Sequence, residues 1–342
     1  MSRVLVARLD SDGDVLLAGP AVRAVAAAAE VVLLVGPRGR QAAGLLPGVS
    51  SIVVWRAPWI DPAPEPVDPS DVDRLIATVR SLAVDEAVLL TSFHQSALPL
   101  ALLLRLAGVP RVTAVSDDYP GSLLDVRHRI DGDVPEAERG LSTAAAAGFV
   151  LPPGDDGLLR VLPAPDVSAL AGPGPYVVLH PGASVPARAW SPERCAEAVA
   201  ALVASGRRVV ITGGPAEVAL TAAVAAGAAA AGAGGGAVVD LGGRTSLAEL
   251  SGVLAGADAV VVGNTGPAHL AAAVGTPVVS LFAPVVPAAR WAPYGVPSVL
   301  LGDQDAPCRL TRATVCPVPG HPCLDMVTGT DVVVAVEKLV SA

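Results

Sequence analysis

From residue 4 the chain reads Val4-Leu5-Val6-Ala7, turns at Asp10 to Gly13, runs through an alanine-rich stretch from about Val15 to Ala29, and resumes with Val31-Val32-Leu33-Leu34-Val35 ahead of Gly36-Pro37. Short apolar runs with no polar alternation are strands buried on both faces, and the stretch between them has the length of a covering helix. That is a strand–helix–strand unit. Ile52-Val53-Val54-Trp55 reads as a third strand, Pro58 to Pro69 as a loop holding five prolines, about Ser70 to Leu82 as a helix and Ala87 to Leu90 as a fourth strand. The first half is therefore expected to be a parallel α/β sheet covered on both sides.

Between Leu151 and Pro175 the pattern fails. Pro152-Pro153-Gly154, Pro163-Ala164-Pro165 and Gly172-Pro173-Gly174-Pro175 punctuate a segment that reads as an interdomain linker. The alternation then restarts: strands Tyr176 to His180, Arg208 to Thr212, Val238 to Leu241, Ala259 to Val262 and Pro277 to Phe282 bracket helices near 192–204, 215–231, 246–254 and 267–274. The expected organisation is a first domain over 1–151, a linker over 152–175, a second domain over 176–328, and a C-terminal helix over 329–342 packing back on the first domain. Parallel sheets bind ligands beyond the carboxyl ends of their strands, so a ligand cleft between the domains is expected.

Composition removes several classes. With 52% apolar and 16% charged residues the chain is not disordered, and a net charge of −9 argues against sequence-independent nucleic-acid binding. Val218 to Val239 and Ala259 to Ala289 lack charge for long enough to imitate membrane spans. Gly234-Gly235-Gly236 breaks the first and Gly263-Asn264-Thr265-Gly266-Pro267 the second. Met1-Ser2-Arg3 leads into a run soon interrupted by Arg8, Asp10, Asp12 and Asp14, unlike a secretion signal, so a cytoplasmic protein is expected. Cys308, Cys316, His321 and Cys323 have the spacing C-x7-C-x4-H-x-C, which fits no standard zinc pattern; no metal site is expected there.

Three turns carry chemistry. Arg8-Leu9-Asp10-Ser11-Asp12-Gly13-Asp14-Val15 brings three carboxylates to a strand end, where Asp12 or Asp14 can cap the following helix and any of the three can act as a general base. The dinucleotide fingerprint G-x-G-x-x-G is absent from this turn, which argues against a dehydrogenase. His180-Pro181-Gly182-Ala183-Ser184-Val185-Pro186-Ala187-Arg188 offers backbone N–H groups, a hydroxyl and a guanidinium, a set that suits a diphosphate and equally an ordinary loop with a solvated arginine. Gly263-Asn264-Thr265-Gly266-Pro267-Ala268-His269 is again strand, glycine turn and helix start, a second anion-favouring terminus in the same half of the chain. His269 alone, beside apolar Leu270-Ala271-Ala272-Ala273, reads first as a core histidine.

With those residues in view, the sequence resembles glycosyltransferase family 9, the heptosyltransferase-like enzymes. The resemblance runs from Gly13-Asp14-Val15 to His321-Pro322-Cys323 and is most specific at Asn264 to Ala273, supported by His180-Pro181-Gly182-Ala183-Ser184. It implies a GT-B fold of two Rossmann-like parallel-sheet domains facing across a cleft. It also implies metal-independent, inverting transfer of a heptose or similar sugar from a nucleotide-diphosphate donor such as ADP-heptose to a hydroxyl acceptor, with no cofactor. By the same resemblance Asp14 is the catalytic base, and Ser184, Arg188, Thr265, Gly266 and His269 hold the donor diphosphate. Glu217, Thr245 and Asn264 face the donor nucleoside or sugar. Arg188 stands where several members have lysine, Asn264 where aspartate is usual, and Asp10 and Asp12 where uncharged residues are usual. Closure about the linker would exclude water. Two other readings stand beside transfer: a nucleotide-sugar epimerase of the same architecture, and a non-catalytic nucleotide-sugar-binding protein.

Overall fold

Strand β1 (Arg3–Arg8) sends Leu5 and Ala7 into one layer of side chains and, by the period of two, Val4 and Val6 into the other; none of the four is more than 2% exposed. The same double burial recurs along the chain in this computed structural model, which describes residues 2–234 and 236–341. Met1, Gly235 and Ala342 lie outside the described residues, and with them the chain start, the middle of the triple glycine and the last residue of the expected C-terminal helix.

The chain divides into two compact units, Met1–Leu162 and Pro163–Ala342, and the division falls inside the proline-rich segment. In the first unit β1 is joined by β2 (Glu30–Val35), β3 (Val49–Val54), β4 (Glu86–Leu89), β5 (Val112–Val115) and β6 (Val126–His128), in the order β3-β2-β1-β4-β5-β6. Every pairing is parallel. Leu75, Val79, Leu100 and Leu104, from helices Pro69–Leu82 and Leu98–Leu106, cover the layer of Leu5, Ala7, Val32 and Leu89. The continuous helix expected over Val15 to Ala29 is two helices, Asp12–Leu17 and Gly19–Ala26. Gly19-Pro20 is the cause: proline has no N–H for the ladder and its ring crowds the preceding turn. The unit's last segment is tied to the second of these helices. Asp155 takes two hydrogen bonds from Arg23 (2.7 and 2.9 Å), one from Arg160 (2.9 Å) and one from the Gly157 N–H (3.0 Å).

The second unit repeats the topology. Its strands β7 (Val177–His180), β8 (Val209–Ile211), β9 (Val238–Asp240), β10 (Ala259–Gly263), β11 (Val278–Leu281) and β12 (Ser298–Leu301) run in the order β12-β11-β10-β7-β8-β9, again all parallel. One face is covered by helices Pro192–Ala204, Val218–Ala230 and Gly329–Val340. In the last of these, Val332, Ala335 and Val336 enter the core of the second unit.

Among the described residues no helix is long and apolar enough to cross a membrane. The two charge-poor stretches resolve into ordinary elements, a 13-residue helix in one and β10, helix Gly266–Ala273 and β11 in the other. Cys308 and Cys323 are buried in the core of the second unit with Cys316 packed against it. Burial, with the neighbouring Cys308 and Cys316, pushes the Cys323 thiol up to about 12, which keeps it protonated and unreactive. No cluster of histidine, cysteine and carboxylate side chains suited to a metal occurs among the described residues.

Candidate functional site

In each unit the first and fourth strands lie side by side, β1 against β4 and β7 against β10, and chain connections diverge to either side of that junction. Loops leaving such a junction splay apart and open a crevice at the carboxyl edge, the standard ligand position in doubly wound sheets. Asp10, Asp12 and Asp14 in the first unit, and Ser184, Arg188 and Asn264 to His269 in the second, lie on those loops or at the helix starts that follow them; Glu217 and Thr245 follow β8 and β9.

In the first unit, Arg8 ends β1 with its side chain only 4% exposed. Its Nε lies 2.9 Å from Asp10 Oδ2, its Nη2 donates to Asp14 Oδ1 (2.9 Å) and to Ser92 Oγ (2.8 Å), and its Nη1 reaches Glu136 Oε2 at 3.4 Å. Burial alone would lower the affinity of this guanidinium for its proton. Asp10, Asp14 and Glu136 outweigh it and raise that affinity. Asp10 also accepts from Ser92 Oγ and Gln95 Nε2 on the loop after β4. Burial first, and the Asp14 charge second, push the Asp10 carboxyl above its ordinary range against the pull of Arg8.

The three aspartates of the turn separate into three situations. Asp12 accepts from the Ala42 N–H (2.9 Å), and burial raises its carboxyl. Asp10 is clamped among Arg8, Ser92 and Gln95. Asp14, one fifth exposed, accepts from the Ser11 hydroxyl (2.8 Å) and N–H (3.3 Å) through Oδ2. Ser11 is the N-cap of this helix and Asp14 its capping-box partner at the third helical position; like Asp10 it is held by a hydroxyl and by Arg8, and it is the more exposed of the two.

In the second unit the loop after β7 and the turn after β10 converge. A Cβ built on Gly263 would sit 3.3 Å from the Arg188 carbonyl, so the single 3-10 turn Pro186–Arg188 lies directly against the end of β10. Arg188 is partly buried, while Ser184 on the same loop is exposed. Thr265 is the N-cap of helix Gly266–Ala273, yet its hydroxyl makes no cap hydrogen bond. Asn264 is 5% exposed, and neither its Oδ1 nor its Nδ2 has a hydrogen-bond partner; the same holds for the Thr265 hydroxyl. Each buried polar atom without a hydrogen bond costs about 1–3 kcal/mol, so three at one strand end concentrate that cost at this point of the fold. His269 is buried on the same helix one turn in.

Glu217 belongs to this group through the opposite side of β7. Its Oε2 accepts from the Gly214 N–H (2.7 Å) and lies 3.7 Å from His180 Nε2, and its carboxylate fills the space where a side chain on Gly182 would begin. Burial lowers the basicity of His180 and the Glu217 charge partly restores it; its Nδ1 meets the Thr212 hydroxyl at 3.0 Å. Thr245 stands apart from them, on the loop after β9, two strands away from the junction.

Sequence reasoning missed several residues of these centres. Ser92, Gln95 and Glu136 reach Asp10 or Arg8 from far along the chain, and nothing local marks them. Elsewhere in the second unit, Ser280, fully buried within β11 with an unpartnered hydroxyl, and Arg290, buried on the short helix after β11, are legible as polar breaks in apolar runs.

The family model for glycosyltransferase family 9 (heptosyltransferase) matches residues 74–320, well over half of the chain. Lipopolysaccharide heptosyltransferase 3 of Escherichia coli is 30% identical over 169 residues, 48% of this chain and 46% of that protein, so the match spans about half the length of this curated relative. The crystal structure of a family 9 glycosyl transferase from Veillonella parvula superposes with a TM-score of 0.76 at 16% identity, covering 99% of this chain and 97% of that one. The E. coli ADP-heptose lipopolysaccharide heptosyltransferase II gives 0.74 at 19% identity, covering 100% and 99%. At those identities the structures establish a shared fold. The family match reaches further: this chain belongs to glycosyltransferase family 9, the heptosyltransferases.

Proposed function

We propose that the protein is an inverting glycosyltransferase that moves a heptose or similar sugar from a nucleotide diphosphate, with ADP-heptose as the first candidate, to a hydroxyl acceptor in the cytoplasm. The observation that carries the donor half is the set of unpartnered buried atoms on Asn264 and Thr265 beside Arg188, at the strand junction of the second unit. A nucleotide sugar supplies what they lack: sugar hydroxyls for Asn264 and phosphate oxygens for Thr265. Arg188, Ser184, the Gly266 end of the helix and His269 then take the diphosphate, while Glu217 and Thr245 face the nucleoside. Membership of a transferase family favours this over the epimerase and pure binding readings.

In the reaction the acceptor oxygen bonds to the anomeric carbon as the bond from that carbon to the diphosphate oxygen breaks. The acceptor proton goes to Asp14. Negative charge develops on the leaving diphosphate, where a guanidinium and a helix N-terminus supply fixed positive potential; this supports transfer without a divalent cation. The test is Asp14→Asn, which is nearly isosteric. It should leave ADP binding intact and lower transfer by roughly 10²–10⁴-fold, in buffer with chelator as in buffer without. Undiminished transfer in the variant refutes the base, and loss of wild-type transfer to chelator, restored by magnesium, refutes metal independence.

A further inference from the structure

Glu136 has a side chain with zero exposure, lies on helix Glu136–Ala147, and has no part in the reaction as described so far. Burying a carboxylate that deep is costly unless a charge meets it, and here Arg8 Nη1 stands at 3.4 Å and Arg139 Nε at 4.0 Å. Arg8 is the residue that grips Asp14. A carboxylate held by a lone arginine loses roughly 1–3 units of proton affinity, which makes it a firmly placed but feeble base. This guanidinium is not devoted to one carboxylate. It is divided among Asp10 at Nε, Asp14 at Nη2 and Glu136 at Nη1.

We propose that Glu136 is a positioning residue that, with Asp10, shares the charge of Arg8, so that Arg8 fixes the Asp14 carboxylate without suppressing its basicity. The inference rests on Asp14 being the base. The charged groups around Asp14 come from each surrounding element: Arg8 from β1, Asp10 from the loop after it, Glu136 and Arg139 from helix Glu136–Ala147, and Asp12, which feels Arg38, from Asp14's own helix. His128 on β6 is a further titratable neighbour, facing Arg139. Ser11, Ser92 and Gln95 add neutral donors. Arg8 thus faces Asp10, Asp14 and Glu136, with Arg139 beside Glu136: two cations stand against three carboxylates, and removal of Glu136 leaves two against two.

The decisive measurement reads Asp14 directly. In full-length protein carrying carboxyl-¹³C aspartate, the Asp14 resonance is assigned by its disappearance in Asp14→Asn, and its titration midpoint is followed by NMR. Glu136→Gln should lower that midpoint by about one pH unit, the size expected for one charge removed across a guanidinium at an effective permittivity of ~20. Glu136→Asp, which keeps the charge, should return it toward the wild-type value. A midpoint that stays put in Glu136→Gln, or that falls equally in Glu136→Asp, overturns the proposal and leaves Glu136 a packing element. If Glu136→Gln does not fold, Asp10→Asn removes the other competing carboxylate, and an unmoved Asp14 midpoint in it refutes the charge sharing. Failure of the base reading is separate: it shows as full transfer by Asp14→Asn, whatever the midpoints do.

Discussion

Replacing Gly182 by alanine tests how the donor-side loops hold Glu217. A Cβ at residue 182 would lie 1.9 Å from Glu217 Oε1 and 2.3 Å from Cδ, so the carboxylate must leave. The swing itself is cheap, because the displaced atoms end a flexible side chain. The cost lies in what they leave: the 2.7 Å bond from the Gly214 N–H and the 3.7 Å approach to His180. A hydrogen bond to a charged group contributes about 1.5–3 kcal/mol, and partial exposure of Gly214 places the loss at the lower end, about 1.5 kcal/mol. For a unit of this size that is a fall in Tm of roughly 3–6 °C. Glu217→Ala should cost about the same, and the double variant Gly182→Ala/Glu217→Ala no more than either alone, since the clash and the lost bond are one event. Differential scanning calorimetry of the four proteins closes the cycle. Gly182→Ala with wild-type Tm, or a double variant showing the sum of the single losses, would refute the placement of Glu217 against this loop.

Other expectations follow from the same geometry. Arg188→Ala removes the charge proposed to hold the diphosphate, and by isothermal titration calorimetry it should weaken ADP binding by about 10–100-fold, while Thr265→Val costs under about tenfold; adenosine binding should respond to neither, and added salt should shrink the arginine effect. Asn264→Leu replaces two unsatisfied buried atoms by hydrocarbon, so the ligand-free protein should melt higher, and the extra Tm shift that a nucleotide sugar gives over the bare nucleotide should vanish. Asp155 has its carboxyl held well below the ordinary range, chiefly by the Arg23 hydrogen bonds, with the Gly157 N–H and the Arg160 charge adding to them. Its folded-state value is below the unfolded one, so the stabilisation is complete above about pH 4–5 and is lost as pH falls further. Asp155→Asn should therefore cost about 3 kcal/mol at pH 7 and converge on the wild type in acid unfolding curves.

The strands that could be read from sequence are those whose burial is written in one continuous run. Val31 to Val35 and Ala259 to Val262 carry valine or leucine at nearly every position, because both faces of a parallel strand are covered. β6 is Val-Arg-His at a sheet edge, half-buried at every position, and offers no such run. β12 is also an edge strand, and helix Leu98–Leu106 is apolar nearly all round, which erases its period. The turns bearing Asp14, Arg188 and Thr265 stood out because glycine, proline and polar residues cluster where a strand must hand over to a helix. Their partners did not. Glu136 and Gln95 meet Arg8 and Asp10 only because β4 and helix Glu136–Ala147 are brought beside β1 by the topology, and no local pattern encodes that.

The order of strands in both sheets also sets when each centre comes into existence. β1 is the earliest strand of its unit, yet its second neighbour is β4, so Val4 waits for Glu86 and Ala7 for Leu89 before the middle of the sheet has two sides. β7 waits in the same way for β10, with Val177 pairing to Ala259. During synthesis at about 5–20 residues per second, each central strand therefore spends several seconds as an open edge of bare valine and leucine, flanked on one side only. The junction beneath the candidate residues closes only when the fourth strand of each sheet arrives, after the second and third have already paired on the other side. The crevice in either unit thus waits for the fourth strand, and a nascent chain released before that seam closes carries the Asp14 or Arg188 loop with no crevice beneath it.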